Sequence, residues 1–442
     1  MRFRGLIFGA GYLSATAPVL SSAVVNKGAI RSIKVTTMSA AASSTSVSSA
    51  APFSPAIEKL RDPPVSVVKD WKTSYDGRKG VMIDMSQAVP GYPAHSSILS
   101  ALSKAGGELD SARYGRCEGD DDLRMVYASH VSDVYGASVQ KDEVLITSGC
   151  NQAFTAAALL IAGHGDDILM PLPAYFNHDS TLDMLGIGVR FFKCHKENQM
   201  VPQLKDIEAA IGPNTKAISL VSPNNPCGTI YPADLLDNIF EMCQQRKIWL
   251  ILDETYRDFL PLHLDRPHNL LNRPGWQNNL IQLYSFSKSY CIPGHRLGAI
   301  VAGAPAVKQL VKFIDNVQIC APRAPQMVVA SLLNEMKDWR DENRVRIAER
   351  SDLFVKVMKD IEGFEVCGYG SYFGYVRHPF AGIGSAKVAQ ALAEKVGVLT
   401  IPGEFFGEGQ EDYLRFALAN ADKDVIAQLS DRLNGLKAEH LF

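Results

Sequence analysis

The chain has 442 residues, of which 46% are hydrophobic and 21% are charged, so it can build a large packed core. Its formal net charge of −2 gives no electrostatic reason to expect a nucleic acid or a membrane surface as a partner. No apolar run reaches the roughly 18 residues that a membrane helix needs, so we expect no membrane span. The eight cysteines contain no CxxC pair, which argues against a zinc site and favours free thiols in a reducing compartment.

The N-terminal segment differs in composition from the rest of the chain. Residues 1–57 contain no Asp or Glu, carry several Arg and Lys residues and end in a tract rich in Ser, Ala and Thr. This composition is typical of an organelle transit peptide, with a disordered tail as the alternative. We expect residues 1–52 to be an import segment outside the fold, directed to the mitochondrion ahead of the plastid. An internal start at Met38 would give a shorter cytoplasmic form.

From residue 143 onward, apolar strands alternate with helices. The predicted strands are 143–147, 167–170, 188–193, 216–221, 248–252, 279–284 and 297–302, and helices are predicted at 119–135, 151–162, 177–185, 201–211 and 232–246. Such alternation predicts βαβ units and a mostly parallel sheet, that is, an α/β fold. We assign residues 101–320 to this large domain.

After about residue 320 the pattern changes to α+β. A long helical region over 325–361, broken near Trp339, precedes short strands at 372–377 and 413–417 and helices at 385–396 and 422–436. The pattern predicts a smaller domain over residues 321–442, completed by residues 53–100 of the N-terminal segment.

Polar segments directly follow several of the strands of the predicted sheet. They are residues 148–151, 171–175, 222–228, 253–256 and 285–288. Because ligands of parallel sheets bind at the carboxyl ends of the strands, these segments are candidates for one binding site.

Within these segments, three features indicate chemistry, although each has an ordinary structural explanation. Lys288 ends a strand, where a lysine is rarely buried unless it is paired or used. Asp253 follows the most apolar strand and either caps a turn or holds a positive ligand nitrogen. The strand-to-helix turn at 148–152 is either a phosphate site or a helix cap. Pyridoxal phosphate would use all three, because its enzymes need a Schiff-base lysine and a carboxylate on the ring nitrogen.

From about residue 80 to the C terminus, the chain resembles the class I/II aminotransferases of pyridoxal-phosphate fold type I, which are like aspartate aminotransferase. Several motifs carry the resemblance: SFSKSYCIPGHRLG at 285–298, NPCG at 225–228, DETY at 253–256, PGEFFG at 402–407 followed by YLRF at 413–416, and Tyr114 with Gly119 and Leu123-Arg124.

The resemblance implies roles around the cofactor ring. Lys288 would form the Schiff base and then act as general acid and base. Asp253 would keep the ring nitrogen protonated. Tyr256 and Asn225 would bind the ring 3-oxygen, and Tyr175 would stack on the ring.

The resemblance also implies a phosphate site and a shared dimer. Ser285, Arg296 and the backbone of Cys150 and Asn151 would hold the phosphate, and Tyr114 would reach it from the partner subunit of a homodimer. A thiol at Cys150 is a departure from the family pattern, which favours a small residue there.

At the substrate end, Arg415 would bind the α-carboxylate together with Asn225. Ala88 stands near the substrate, where many family members have glycine. Arg323 is unusual in its loop and could read an acidic substrate side chain across the dimer interface.

The resemblance therefore implies an aminotransferase that moves an amino group between an L-amino acid and a 2-oxo acid in two half-reactions. A pyridoxal-phosphate lyase that eliminates or cyclises a side chain is the alternative, because its cofactor site would look the same. A non-catalytic binder of the cofactor is disfavoured, since Lys288, Asp253 and Arg415 are all present.

Overall fold

The computed structural model describes residues 53–442. The predicted import segment and Met38 lie outside the described residues. The strands are β1 (Ile83–Asp84), β2 (Val144–Thr147), β3 (Asp167–Leu172), β4 (Gly188–Lys193), β5 (Thr215–Val221), β6 (Trp249–Asp253), β7 (Leu280–Ser285), β8 (Gly298–Ala302), β9 (Glu365–Gly370), β10 (Phe373–Arg377), β11 (Val398–Leu399), β12 (Ile401–Pro402) and β13 (Tyr413–Ala417).

The helices lie between these strands and at both ends of the described chain. They are α1 (Pro55–Glu58), α2 (Pro64–Trp71), α3 (Ser96–Gly106), α4 (Asp121–Tyr135), α5 (Cys150–Ile161), α6 (Phe176–Leu185), α7 (Leu204–Ala210), α8 (Ala233–Arg246), α9 (Phe286–Ser289), α10 (Ala304–Val317), α11 (Arg323–Leu332), α12 (Lys337–Lys359), α13 (Ser385–Ala391), α14 (Lys423–Ala427), α15 (Leu429–Leu433) and α16 (Ala438–Leu441). No helix within residues 53–442 is both long enough and apolar enough to cross a bilayer.

The large sheet has seven strands in the order β2-β8-β7-β6-β5-β3-β4. Neighbours from β7 through β4 pair in parallel, whereas β8 is antiparallel to both β7 and β2. The predicted mostly parallel sheet of an α/β fold is therefore confirmed.

Strand β6 shows why the sheet strands are continuous apolar runs. Alternate side chains point to opposite faces of a strand. Leu250 and Leu252 pack in the same core as Phe240 of α8, while Ile251 packs in a second core with Ala157 of α5. Helices thus cover both faces, which explains why the strand is apolar from Trp249 to Leu252.

A four-stranded antiparallel sheet, β12-β13-β10-β9, lies in the C-terminal part of the chain. Strand β1 pairs in parallel with β11, with Ile83 opposite Val398. Ile83 and Val398 share a buried core with Phe354 and Phe416. Residues near the start of the described chain are therefore packed with its C-terminal part.

Helices α3 and α11 pack against the large sheet, although residues before α3 and after α11 pack in the smaller C-terminal core. Ile98 of α3 and Val328 of α11 belong to the core that lies against the large sheet. The domain boundaries at residues 100 and 320 stay predictions.

Two local expectations differ from the structure. The break in the long helical region falls between α11 and α12, so Trp339 lies inside α12. Leu333 and Met336 are buried in the large core at this turn, so packing sets its position without a proline or glycine. Strand β9 was missed because its glycines lower the strand propensity of the segment.

Gly228→Ala tests the close approach of the 225–228 turn to the smaller sheet. Gly228 has φ +74°, and a Cβ there would lie 2.4 Å from the carbonyl oxygen of Phe373. We expect a loss of at least about 3 kcal/mol in the free energy of unfolding, from a left-handed backbone and a backbone clash together.

Gly435→Ala is the matched control. Gly435 has φ +68°, and a Cβ added there would meet no other atom within 4 Å, so only the backbone penalty of about 1 kcal/mol applies. Thermal and denaturant unfolding would measure both variants. Equal losses would show that the close approach to Phe373 is not a constraint.

Candidate active site

A cavity of about 340 Å³ opens at the carboxyl edge of the large sheet. Its walls include residues that end or directly follow β5, β6 and β7. Eleven of the predicted site residues line it: Ala88, Cys150, Asn151, Tyr175, Asn225, Asp253, Tyr256, Ser285, Lys288, Arg296 and Arg415. The twelfth, Tyr114, is 78% exposed and lies in a wider surface cleft instead.

Lys288 stands in the short helix α9, directly after β7. The hydroxyl of Ser285 caps this helix by accepting a hydrogen bond from the backbone N–H of Ser287 at 3.3 Å. The Nζ of Lys288 donates to the carbonyl oxygen of Ala88. Burial, followed by the positive charges of Arg415 and Arg296, lowers the pKa of Lys288 to about 8. The amine can therefore be neutral at a pH where an ordinary lysine is charged.

Asp253 ends β6 and is only 3% exposed. Its Oδ1 accepts the backbone N–H of Thr255 at 2.9 Å, and its Oδ2 lies 3.3 Å from Nε2 of His178. Burial opposes ionisation, but His178 and Thr255 outweigh it and lower the pKa of Asp253. The carboxylate is therefore negative at neutral pH and available to a positive ligand nitrogen.

His178 was missed at the sequence level. Its ring stacks on Phe154, with centroids 3.7 Å apart and planes at 9°, which fixes its orientation towards Asp253. Its position could have identified it as a site residue, because His178 lies three residues after Tyr175 and therefore on the same face of α6.

Arg296, Ser285 and the start of α5 form a cradle for an anion. Gly149 precedes α5 with φ +83°, and a Cβ there would lie 2.2 Å from Nη2 of Arg296. Glycine is therefore required for the guanidinium to approach the helix N-terminus. The free N–H groups and dipole of the helix add to the positive charge of Arg296, as suits a phosphate.

Arg415 lies in β13 and lines the same cavity. Its guanidinium donates to Oδ1 of Asn225 at 3.1 Å and to the carbonyl oxygen of Ser86, and its Cζ lies 5.0 Å from the ring centroid of Phe373 and 5.4 Å from that of Phe406. Burial lowers the pKa of Arg415 to about 10, so it stays cationic at neutral pH. Its buried Nε has no partner among residues 53–442, so it can bind a carboxylate.

The two tyrosines at the cavity are neutral phenols. Burial raises the pKa of Tyr175 to about 12 and that of Tyr256 well above its usual value. The Tyr175 hydroxyl accepts a hydrogen bond from Nδ2 of Asn177 at 2.9 Å. Burial likewise raises the pKa of the Cys150 thiol well above its usual value, so it is not a ready nucleophile.

Thr255 and Ser287 also line the cavity, although neither was singled out. Thr255 lies in the DETY motif and Ser287 in the SFSK motif. Their positions in these motifs could have identified them as cavity residues. The Ser287 hydroxyl is buried without a partner in the described part of the chain.

Arg323 is engaged elsewhere. Its Nε lies 3.2 Å from Oδ1 of Asp120, and its guanidinium also donates to the carbonyl oxygen of Asp110. It lies in the surface cleft with Tyr114 and does not line the cavity around Lys288.

Comparison with known proteins matches this chain to aminotransferases. The family model for aminotransferase class I and II matches residues 81–433. An aspartate aminotransferase of Sulfurisphaera tokodaii is 27% identical over 81% of this chain and 91% of its own length. An LL-diaminopimelate aminotransferase of Dehalococcoides mccartyi is 29% identical, covering 77% and 89%. The aromatic aminotransferase ISS1 of Arabidopsis thaliana is 27% identical, covering 72% and 80%.

Solved structures agree in fold. An aspartate aminotransferase of Thermus thermophilus superposes with a TM-score of 0.79 at 19% identity, over 86% of this chain and 98% of the other. An aspartate aminotransferase of Thermotoga maritima gives a TM-score of 0.78 at 20% identity, with the same coverage.

The lowered pKa of Lys288 predicts how its reactivity depends on pH. On protein treated with hydroxylamine to release any aldehyde bound to Lys288 and then dialysed, labelling of Lys288 by an amine-specific reagent should rise with pH through a midpoint of about 8, because only the neutral amine reacts. Peptide mass spectrometry measures the labelling rate at each lysine. Arg415→Gln removes a positive charge and should move the midpoint to higher pH, while Arg415→Lys should leave it low. A wild-type midpoint near that of exposed lysines, about 10.4, would contradict the prediction.

Proposed function

Because the chain belongs to the aminotransferase class I and II family, we propose that it binds pyridoxal phosphate beside Lys288 and moves an amino group between an amino acid and a 2-oxo acid. One observation carries the proposal. A lysine with a lowered pKa, an ionised Asp253 and a buried Arg415 share one cavity of about 340 Å³. This volume suits small-molecule ligands.

The groups in the cavity fit pyridoxal phosphate. Arg296, Ser285 and the N-terminus of α5 supply a cationic cradle for the phosphate, and Asp253 supplies a negative charge for the ring nitrogen. The buried hydroxyl of Ser287 is left without a partner within residues 53–442, as expected where a polar ligand would complete the site.

When bound, pyridoxal phosphate withdraws electrons from the carbon that carries the amino group, which makes the proton on that carbon acidic. The Nζ of Lys288 would accept this proton and give it back later in the transfer, for which an amine with a pKa of about 8 is suited near neutral pH. Asp253 would hold the positive nitrogen of the ring and so keep the ring electron-withdrawing.

Arg415 and Asn225 orient the substrate through its α-carboxylate. The guanidinium is held by Asn225 and by the Ser86 carbonyl, so it is already in position before a substrate arrives. Such preorganisation lowers the entropy cost of placing the reacting carbon beside Lys288.

We further propose that the protein is a homodimer with shared active sites. Tyr114, Leu109 and Met125 are large apolar side chains that are exposed near one surface cleft of about 1000 Å³. An exposed cluster of this kind favours contact with another protein surface. If a second copy covers this cleft, the family resemblance implies that Tyr114 reaches the phosphate cradle of its partner.

Lys288→Ala tests the assignment of the reaction. We expect loss of the visible absorbance of the bound cofactor and of all amino transfer, because the amine that moves the proton is gone. Lys359→Ala, at the exposed end of α12, is the control and should behave as wild type. A panel of amino acids is supplied with an acidic and a neutral acceptor, 2-oxoglutarate and 2-oxobutyrate, and the newly formed amino acid and ammonia are both assayed. Turnover by Lys288→Ala, or ammonia without a new amino acid in the wild type, would overturn the assignment, the latter in favour of a lyase.

Hybrid dimers test the sharing of the site. Tyr114→Ala should weaken binding of pyridoxal phosphate about tenfold, the effect of one lost hydrogen bond to a charged group. A hybrid of Tyr114→Ala with Lys288→Ala rebuilds one intact site from two defective chains, and titration should find wild-type affinity in that site. A monomeric protein in solution, or a hybrid without a restored site, would contradict the shared dimer.

A further inference from the structure

Seven further residues line the cavity, and the proposed reaction gives them no role. Two of them are Val221, which ends β5, and Pro293. The other five are Val65, Gln87, Val89, Phe176 and Asn177, and none of the seven carries a charge. Gln87 and Val89 flank Ala88, whose carbonyl oxygen accepts the hydrogen bond from Lys288. Phe176 and Asn177 directly follow Tyr175 at the start of α6. We call these five residues the neutral wall.

The cations of the cavity already have roles. Among residues 53–442, the cationic side chains that line it are Lys288, Arg296 and Arg415. Under the proposed function, Lys288 handles the proton, Arg296 binds the phosphate and Arg415 binds the α-carboxylate. A second carboxylate on the substrate would therefore meet no uncommitted cation from this chain.

A nearby arginine outside the cavity is also engaged. Arg61 donates to Oδ2 of Asp179 in α6 at 2.7 Å and to the carbonyl oxygen of Phe405 at 2.8 Å. These bonds tie the segment before α2 to α6 and to the 402–407 loop. Arg61 would have to give up both bonds to bind a substrate.

Within the part of the chain that the structure describes, the surface around Tyr114 also offers no unpaired arginine that could bind a second substrate carboxylate. Arg323 is paired with Asp120 at 3.2 Å. Arg113 lies 3.4 Å from Asp110, and Arg116 lies 3.6 Å from Glu118. These three arginines near Tyr114 thus each have an acidic neighbour of their own.

We infer that the amino donor and the 2-oxo acid acceptor carry neutral side chains, and that Gln87 is a specificity-determining residue of the neutral wall. The inference rests on the proposed function. Val65, Val89 and Phe176 offer apolar contact, which favours burial of an uncharged side chain. A side-chain carboxylate would lose water without gaining a cation, which is strongly unfavourable.

Isosteric donor pairs isolate charge from size in the test. With the holoenzyme and the neutral acceptor 2-oxobutyrate, kcat/KM is compared for glutamine against glutamate and for asparagine against aspartate. We expect the neutral member of each pair to be favoured at least about tenfold, which corresponds to about 1.4 kcal/mol. A smaller preference, or a preference for the acidic member, would overturn the inference.

A binding measurement decides the question without turnover. 4-Methylpentanoate and glutarate are carboxylates that differ in the end remote from Arg415. We expect 4-methylpentanoate to raise the thermal midpoint of the holoenzyme more than glutarate does at equal concentration, because a ligand of the folded state stabilises it by mass action. A larger shift with glutarate would overturn the inference even if no donor were turned over. Absence of transfer from every donor would instead overturn the proposed function.

Gln87→Arg supplies the missing cation, and Gln87→Met is its uncharged control. We expect Gln87→Arg to raise the kcat/KM ratio of glutamate to glutamine at least about tenfold over wild type. Gln87→Met should keep the preference for neutral donors. An unchanged ratio in Gln87→Arg would show that Gln87 does not face the substrate side chain and would overturn its assignment.

Discussion

Asp253 must remain ionised in a place where water hardly reaches it. Its two carboxylate oxygens are held by the backbone of Thr255 and by His178, and these contacts outweigh the effect of burial on its pKa. The ring of His178 is stacked on Phe154 of α5, which helps to fix it beside Asp253. The charge that the chemistry needs therefore depends on the packing of two helices against the sheet.

The buried cation of the cavity, Arg415, likewise needs contacts that keep it charged away from water. Arg415, Asn225 and Ser86 come from three distant parts of the chain, yet they share one set of hydrogen bonds. These bonds and the flanking rings of Phe373 and Phe406 compensate for burying the guanidinium. The positive charge of Arg415 in turn helps to lower the pKa of Lys288. The reactivity of the lysine is thus a property of the assembled fold.

Much of the site was predictable because sheet geometry and local motifs agree. Parallel strands bring their carboxyl ends to one edge, so Asp253 after β6 and Lys288 after β7 had to lie near each other. Contacts made by packing were not predictable in this way. His178 belongs to no strand end, and the break between α11 and α12 is set by the burial of Leu333 and Met336.

Hydrophobic periodicity and residue order follow from the chain alone, so they predict the fold class, the edge of the sheet where a ligand is expected and the charged side chains at that edge. Which of these charges are free depends on how the chain packs. Arg323 is bound to Asp120, Arg415 faces the cavity, and an uncharged wall stands beside Lys288. These outcomes depend on contacts between residues far apart in sequence, which no local pattern encodes.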